Sequence, residues 1–222
     1  MQLKFYILYF FGVLFSGAFI TPWSVSASGT IDIGATRINS ESSTMTASMN
    51  SYFTISGAEP KLEIGYIYQS QDGITTKDRL DILTAVDIPL SDRFYSQGAL
   101  RVEYDSIREF KNKQVVTVGI GTHLVNNERA SIRYEFAPGY QFYSPQNAAI
   151  IRNSLFADYK VSTGITVSNN TSVELGSNDE YIKNVTELSN SLTERLSLIL
   201  EHTFLQETTT DNITSIKLRV KF

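Results

Sequence analysis

The chain has 222 residues, a formal net charge of −4 and no cysteine. Its 19 Lys and Arg residues do not exceed its 23 Asp and Glu residues, so the composition argues against a nucleic-acid partner. With no cysteine and only two histidines, neither a disulfide framework nor a Cys/His zinc cluster is expected. Hydrophobic residues make up 42%, which is too high for a disordered chain, and charged residues only 19%. We therefore expect a folded protein whose surface is poorer in charge than that of an ordinary soluble domain.

The N-terminal segment has the features of an export signal. A single cation, Lys4, precedes an apolar run over residues 5–20, and Val25 and Ala27 place small side chains before a cleavage site. An uncleaved membrane anchor is the alternative, but roughly 16 apolar residues are few for a hydrocarbon core of ~30 Å. We predict a signal peptide over residues 1–27 and an exported mature chain over residues 28–222.

Beyond this segment, the sequence is a series of two-faced strands. No uninterrupted apolar stretch approaches the ~20 residues of a transmembrane helix, and apolar residues instead recur at every second position. Residues 130–142 are the clearest case, because Tyr134 and Phe136 alternate with Arg133 and Glu135. The pattern predicts about twelve strands, near residues 29–37, 43–56, 61–70, 79–89, 93–106, 113–125, 129–143, 148–167, 171–178, 181–192, 195–206 and 213–222.

The connections between the predicted strands alternate between short and long. Asn, Asp and Ser suit tight turns because they cap the backbone locally, and such turns are predicted at residues 57–60, 91–93, 126–128, 169–170 and 193–195. Longer polar connections are predicted between them, at residues 39–43, 70–78, 107–112, 144–147, 177–180 and 206–212. Short turns at one rim and longer loops at the other are typical of outer-membrane barrels, whose short turns face the periplasm.

The direction of the apolar face distinguishes a membrane barrel from a soluble one. A soluble barrel hides this face inside, whereas an outer-membrane barrel turns it towards lipid and keeps charges in the lumen. The polar faces here are dense in charge, and aromatic residues collect near the strand ends, at Tyr68, Tyr104, Tyr140, Phe142 and Phe204 for one rim and Phe53, Phe94 and Phe222 for the other. These features predict an all-β, antiparallel transmembrane barrel in the outer membrane of a Gram-negative bacterium.

Five charges on the predicted lumen face form the candidate functional cluster, which comprises Arg101, Glu103, Asp105, Arg133 and Glu135. In one interpretation, the cluster is a charged constriction that selects the solutes passing through the barrel. In the other, it is a network of interior ion pairs that fills the lumen and fixes the strand register. A twelve-stranded barrel lies between filled small barrels and open porins in size, so both interpretations stay open.

The last strand carries a candidate assembly signal. Apolar residues occupy every second position up to the chain end, at Ile216, Leu218, Val220 and Phe222. This ending resembles the C-terminal signal that the bacterial barrel-assembly machinery reads, which implies that this machinery is a partner during biogenesis. Outer-membrane lipid and lipopolysaccharide are the other expected partners, and the pattern does not indicate an oligomeric state.

No residue pattern indicates catalysis or metal binding. A Ser–His hydrolase needs a histidine bonded to its nucleophile, but His123 is predicted on the lumen face and His202 on the apolar face, without a G-x-S-x-G motif. Asp72-Gly73 and residues 177–180 place oxygen atoms in connections, but neither has the spacing of a calcium loop. We therefore expect a protein that is not an enzyme, with no catalytic residue, metal or cofactor.

Several short motifs from residue 92 onwards carry a family resemblance. They are Asp92-Arg93-Phe94-Tyr95, Arg101-Val102-Glu103-Tyr104-Asp105, Gly119-Ile120-Gly121, Asn127-Glu128-Arg129, Glu135-Phe136-Ala137-Pro138-Gly139-Tyr140 and the terminal strand ending at Phe222. In combination, they resemble the YdiY-like family, a domain of unknown function whose members are labelled salt-induced outer-membrane proteins. The resemblance implies an outer-membrane barrel with no defined activity, linked by the family's label to salt or osmotic response.

Three functions are open at this point. The first is a porin-like channel for small solutes or ions, linked to salt or osmotic conditions. The second is a closed barrel with a structural or surface-interaction role, whose lumen the ion pairs fill. The third is a soluble periplasmic β-barrel that carries a ligand in an apolar interior. The direction in which the apolar side chains point separates the third from the first two.

Overall fold

The computed structural model is a closed β-barrel in which every strand is antiparallel to both of its neighbours. It describes residues 25–37, 42–55, 57–107, 112–143, 147–176, 180–207 and 210–222. Strands that follow each other in sequence pair with each other, and the last strand pairs with the first. The twelve strands are β1 (Val25–Arg37), β2 (Ser42–Ile55), β3 (Glu59–Gln71), β4 (Ile74–Pro89), β5 (Phe94–Asp105), β6 (Asn112–Asn126), β7 (Ala130–Phe142), β8 (Ala148–Lys160), β9 (Ile165–Gly176), β10 (Glu180–Ser191), β11 (Leu196–Gln206) and β12 (Thr210–Lys221).

The side chains of each strand separate onto the two faces of the sheet. In β7, Tyr134 and Phe136 are exposed on the outer wall, whereas Glu135 between them is buried in the lumen. In β12, Ile216 is exposed outside and Lys217 is buried inside. The apolar face therefore points outwards, which confirms the predicted antiparallel transmembrane barrel and contradicts the soluble alternative, because that alternative requires an apolar interior.

The two rims of the barrel differ less in their connections than the sequence predicts, since the strands leave three or four residues between them at one rim and two to six at the other. The rim that holds the turns at residues 90–93, 127–129, 161–164 and 192–195 is called the short-turn rim below, and the opposite rim the long-loop rim. Exposed aromatic residues stand near both rims on the outer wall, with Tyr104 and Tyr140 towards the long-loop rim and Phe94 and Phe222 towards the short-turn rim. This is the arrangement that aromatic rings prefer at the two interfaces of a membrane.

The predicted signal peptide lies almost entirely outside the described residues. Among the residues that are described, no helix is long and apolar enough to cross a membrane. Val25–Ala27 begin β1 by pairing with residues 53–55 of β2. Backbone hydrogen bonds between β1 and β12 begin only at Gly29, which exchanges two of them with Phe222. Cleavage after Ala27, which stays a prediction, would therefore leave the closure of the barrel intact.

The tight turn predicted at Asn169-Asn170 is wrong. β8 ends at Lys160 and the chain turns through residues 161–164, where the N–H groups of Val161 and Ser162 donate to the carbonyl of Ile165. The two asparagines lie in the middle of β9. Val161 and Ile165 continue the apolar alternation of β8 across this turn, so the sequence pattern conceals it.

The long connection predicted over residues 70–78 is also wrong. β3 and β4 extend to Gln71 and Ile74 and are joined by the two-residue turn Asp72-Gly73. Both turn residues have positive φ, 52° for Asp72 and 76° for Gly73. An Asp-Gly pair supplies this conformation readily and matches the twist of the flanking strands. The connection at Asp72-Gly73 is therefore a tight hairpin at the long-loop rim.

Pro138 lies on the outer face of β7, and the register of the sheet does not shift around it. The pairing of β6 with β7 is interrupted between Thr117↔Gly139 and Ile120↔Phe136, but the register is the same on both sides of the interruption. Proline has no N–H to donate to the neighbouring strand. A Cβ at Gly119 would lie 2.1 Å from the carbonyl oxygen of Phe136, so a glycine on β6 permits the close approach of the two backbones.

Candidate functional site

The lumen is polar and divides into two parts. Towards the long-loop rim, charged side chains from opposite sides of the barrel meet in a set of contacts that we call the ion-pair layer. Its members are Lys77, Arg79, Arg101, Glu103, Lys113, Glu174, Glu207 and Asp211. Below the layer, a cavity of about 730 Å³ extends towards the short-turn rim, where Thr54, Glu59 and Asp158 line it. Solutes that crossed this barrel would have to pass both parts.

Arg79 of β4 is at the centre of the ion-pair layer. Its Nη2 lies 3.2 Å from Glu103 Oε2 and its Nη1 lies 3.6 Å from Glu207 Oε2. Its Nε donates to both carboxylate oxygens of Asp81, at 3.0 Å each. The side chain is only 2% exposed. A guanidinium removed from water in this way depends on its carboxylate partners for compensation.

Three further ion pairs cross the lumen. They are Arg101–Glu174 at 2.5 Å, Lys113–Glu207 at 2.8 Å and Lys77–Asp211. Glu207 directly follows the end of β11, and the other partners lie within strands. The partners are four or five strands apart in the closed sheet of twelve, so each pair joins nearly opposite walls. Among the described residues, these side chains occupy the width of the lumen at this level.

The ring of Tyr181 on β10 completes the layer. The guanidinium carbon of Arg101 lies 4.3 Å from the ring centroid, and Nζ of Lys113 lies 5.5 Å from it. Both distances are within the range of cation–π attraction. The sequence indicates this residue only weakly, because β10 has the least regular apolar alternation of the strands. Tyr181 is 3% exposed and helps to close the layer sterically.

The cavity below the layer carries more negative than positive charge. Nine carboxylates and six cations line it apart from members of the layer, namely Asp32, Glu59, Glu63, Asp81, Asp87, Glu135, Asp158, Glu187 and Glu201 against Lys61, Arg133, Arg152, Lys183, Lys217 and Arg219. Some are paired, as Arg219 is with Asp32 at 2.6 Å and with Glu187 at 3.0 Å. An excess of carboxylates within low-dielectric walls concentrates cations.

A buried hydrogen-bond network holds one wall of the cavity. Glu135 of β7 accepts bonds from the Tyr95 hydroxyl at 2.9 Å and from Gln97 Nε2 at 2.7 Å. Arg152 donates in turn to Gln97 Oε1 at 2.8 Å. The Tyr95 ring fits here because Gly121 faces it, since a Cβ at that glycine would lie 2.1 Å from the ring. The network ties β5, β7 and β8 together and fixes these side chains.

The five residues of the predicted cluster are divided between the layer, the cavity wall and the rim, although Arg101, Arg133 and Glu135 all line the cavity. Arg101 and Glu103 are ion-paired at 3.1 Å in the layer. Asp105, at the end of β5, accepts a bond from the N–H of Ile107 at 3.1 Å. Glu135 belongs to the network described above, and Arg133 lines the cavity with its guanidinium carbon 4.8 Å from the ring centroid of Phe156. They separate because β5 ends at the long-loop rim, whereas β7 begins at the short-turn rim.

The partners of Arg101 and Lys113 were not found from the sequence. Glu174 and Glu207 lie far along the chain from these cations, and alternation assigns a side chain to a face without stating which residue it meets across the lumen. Alternation along β9 predicts that Glu174 points into the lumen. The turn wrongly predicted at residues 169–170 divides this strand and hides that prediction.

The two histidines lie on opposite faces of the sheet. The His123 ring is inside, 5.4 Å from the ring centroid of Tyr95. His202 is outside, and its Nδ1 is 2.9 Å from the hydroxyl of Thr214 rather than extended towards a rim. Within the described ranges, no group of three or more His, Cys, Asp or Glu side chains is arranged to hold a metal ion.

The residues of the predicted assembly signal lie on the outer wall. Ile216, Leu218 and Val220 are exposed on β12, and Phe222 follows the end of that strand. The strand pairs with both β11 and β1, so these side chains stand next to the closure of the barrel. Their recognition by the assembly machinery stays a prediction.

Solved structures with a similar fold are outer-membrane porins and channels. The NanC porin aligns with a TM-score of 0.57 and 10% identity over 86% of this chain and 97% of its own. The KdgM porin gives 0.52 and 11% over 87% and 98%, and an outer membrane channel from Pseudomonas putida F1 gives 0.50 and 10% over 91% and 96%. At these identities, the likeness concerns the fold.

Sequence comparison assigns a family. No curated protein matches the chain. Residues 31–222 match the family model described as "Protein of unknown function, DUF481". Because this match covers well over half of the sequence, the chain belongs to the DUF481 family.

Proposed function

We propose that the protein is a channel in the outer membrane of a Gram-negative bacterium, through which small cations pass, and that the ion-pair layer is its narrowest point. The observation that carries this proposal is the polar cavity of about 730 Å³ inside a barrel whose outer wall is apolar. The likeness to the NanC and KdgM porins and the predicted export signal support the same location.

The preference for cations follows from the charges that line the cavity. Carboxylates outnumber cationic side chains by nine to six below the layer when Asp81, which also bonds Arg79, is counted with the cavity. The layer itself then contains four of each. A charged ring or wall selects ions of the opposite sign because it replaces part of their hydration energy. The cavity therefore favours cations, and the neutral layer limits their size more than their charge.

The setting of this channel is part of the same proposal. Lipid and lipopolysaccharide would surround the outer wall, and the barrel-assembly machinery would read the strand that ends at Phe222 during biogenesis. A link to salt or osmotic conditions rests on the resemblance of residues 92–222 to the YdiY-like family. No catalytic role is proposed, because His123 and His202 lie on opposite faces of the sheet.

A closed structural barrel is the second candidate, and the cross-lumen ion pairs favour it. Pairs such as Arg101–Glu174 would then serve to fill the lumen and fix the register of the strands. Both candidates require the same membrane-inserted fold. They differ in whether ions pass the layer.

Single-channel recording separates the two candidates. The mature chain, residues 28–222, is refolded into a planar lipid bilayer, and insertion is verified by its heat-modifiable mobility on gels. A channel gives discrete current steps and a reversal potential that indicates cation selectivity. Arg133→Ala removes a cation from the cavity wall and should increase that selectivity.

Arg129→Ala is the matched control, because Arg129 is also near the short-turn rim but is exposed outside the lumen, where its guanidinium carbon lies 5.9 Å from the Tyr159 ring centroid. Silence from inserted protein would support the closed barrel. Current steps with anion selectivity would contradict the proposed role of the carboxylates.

A further inference from the structure

A polar patch interrupts the apolar outer wall across β9–β12. It consists of Asn169, Thr171, Asn184, Thr186, His202 and Thr214, which we call the outer polar patch. Cross-strand pairs connect its members, since Thr186 is opposite both Asn169 and His202, and Asn184 is opposite Thr171. Val167 and Leu188 flank it towards the short-turn rim and Ile182 towards the long-loop rim. The patch lies at mid-height of the outer wall, where Asn153 of β8, which accepts a bond from the Tyr134 hydroxyl at 2.6 Å, is a separate polar side chain.

The four central side chains form a nearly closed hydrogen-bond network. Asn184 Nδ2 donates to Thr171 at 2.6 Å and to Asn169 Oδ1 at 3.2 Å. Asn169 Nδ2 donates to the Thr186 hydroxyl at 2.8 Å, and Thr171 donates to Asn169 Oδ1 at 2.9 Å. The Thr186 hydroxyl donates to Asn184 Oδ1 at 3.3 Å. Each polar group therefore has at least one partner within the patch.

One N–H donor of this network, on Asn169, and several acceptor positions, among them one on Asn184 Oδ1, are left without a described partner. An asparagine amide nitrogen carries two N–H groups and its oxygen accepts two bonds. Asn169 uses one of its two N–H groups, and Asn184 Oδ1 accepts one of its two bonds. Polar groups inside hydrocarbon must find partners within protein, because lipid offers none. An unused amide donor beside an unused carbonyl acceptor at mid-membrane therefore calls for another protein surface.

We infer that the outer polar patch is the contact surface between two copies of this chain in the membrane. A two-fold interface brings the same patch of both subunits together, so every contact between two different residues occurs twice, once in each direction. The unused N–H of Asn169 in one copy and the unused lone pair of Asn184 in the other are complementary in this arrangement, and the reciprocal bond forms as well. The patch contains no carboxylate, lysine or arginine, so no such charges oppose the approach of two copies. Amide and hydroxyl bonds of this kind hold membrane segments together.

Cysteine cross-linking in bacterial outer membranes tests the interface. The chain has no cysteine of its own, so a substitution introduces a single thiol. Leu188→Cys places it on β10, two residues from Thr186, and Ile82→Cys places it on β4, the strand diametrically opposite. With a short bifunctional thiol reagent, we expect a product of twice the chain mass for Leu188→Cys, roughly tenfold more abundant than for Ile82→Cys.

Substitutions in the outer polar patch are then combined with Leu188→Cys in the same chain. Asn169→Leu with Asn184→Leu removes the unused donor and acceptor while leaving side chains that suit lipid, and it should reduce the product to the level of Ile82→Cys. Thr84→Leu, an outward change on β4, should leave the product unchanged. Asn169→Leu alone, which removes the unused donor, serves as a second disruption if the double variant inserts poorly.

Three results would overturn the inference. They are equal cross-linking from the two cysteine positions, a Leu188→Cys product that survives both disruptions, or a product formed with a different protein. In each case, the patch is either satisfied within one barrel or contacts another partner.

Discussion

At the scale of single residues, Arg79 illustrates what the ion-pair layer requires. Its guanidinium contacts three carboxylates, those of Asp81, Glu103 and Glu207, and is almost completely removed from water. Removing one partner from a buried set of charges leaves the others uncompensated, which costs more than the pair contributes when intact. The layer should therefore be sensitive to the loss of any one of its central cations.

We predict that Arg79→Ala lowers the free energy of unfolding by about 3–5 kcal/mol. Unfolding of the refolded barrel by guanidinium chloride in detergent micelles, followed by far-UV circular dichroism, measures this difference. Arg129→Ala is the control, because an exposed charge contributes about 0–1 kcal/mol. Equal losses for the two variants would mean that the layer does not stabilise the barrel.

The sequence predicted the face of each site residue better than its partner. Strict alternation in β5 placed Arg101 and Glu103 inside, and both are in the layer. The same alternation could not indicate Glu174, because the contact across the lumen depends on the register and closure of all the intervening strands. The predicted cluster contains residues that share the lumen face but lie at different heights in the barrel. It therefore includes Arg133 and Glu135, which do not contact the ion-pair layer.

At the scale of secondary-structure elements, the closure between β1 and β12 depends on a glycine. Gly29 and Phe222 exchange two backbone hydrogen bonds. A Cβ at Gly29 would lie 2.4 Å from the Phe222 ring and 2.6 Å from the carbonyl oxygen of Asn50. The ring can turn away, but the backbone oxygen of β2 cannot move without disturbing the sheet.

Gly29→Ala should therefore destabilise the barrel by about 1–3 kcal/mol, the usual cost of an overpacked site. The heat-modifiable, folded fraction on gels should fall when the variant is refolded. Gly65→Ala is the matched control, since a Cβ at Gly65 of β3 has open space around it within 4 Å. If the two variants refold equally well, the ring and the backbone at the closure adapt more easily than their distances indicate.

The elements themselves were largely predictable, and the two errors have physical causes. Val161 and Ile165 preserve the apolar period across the turn at residues 161–164, so the asparagines at residues 169–170 are the stronger turn signal. The hairpin at Asp72-Gly73 carried its own signal, since Asp-Gly is a favoured two-residue turn. It was merged into a long polar connection because Thr75, Thr76 and Lys77 continue the polar run into β4.

At the scale of the whole molecule, the lumen is asymmetric along its axis. Charges of both signs balance in the layer near the long-loop rim, whereas carboxylates predominate in the cavity below it. This separation follows from closing twelve strands into one sheet, because closure brings cations of β4–β6 to face carboxylates of β9–β12. Selectivity and conductance should accordingly depend on different residues.

Replacing the pair Arg101 and Glu174 tests the layer as the narrowest point. In a channel, Arg101→Ala with Glu174→Ala removes two large side chains and should raise the single-channel conductance at least about twofold, because the narrowest cross-section limits current. Arg101→Met with Glu174→Leu removes the same charges while keeping most of the volume, so it should leave conductance close to that of the unaltered protein. Planar-bilayer recording at one salt concentration compares the three proteins. Equal conductance in all three would place the constriction elsewhere, whereas a rise in both variants would mean that charge, rather than volume, closes the lumen.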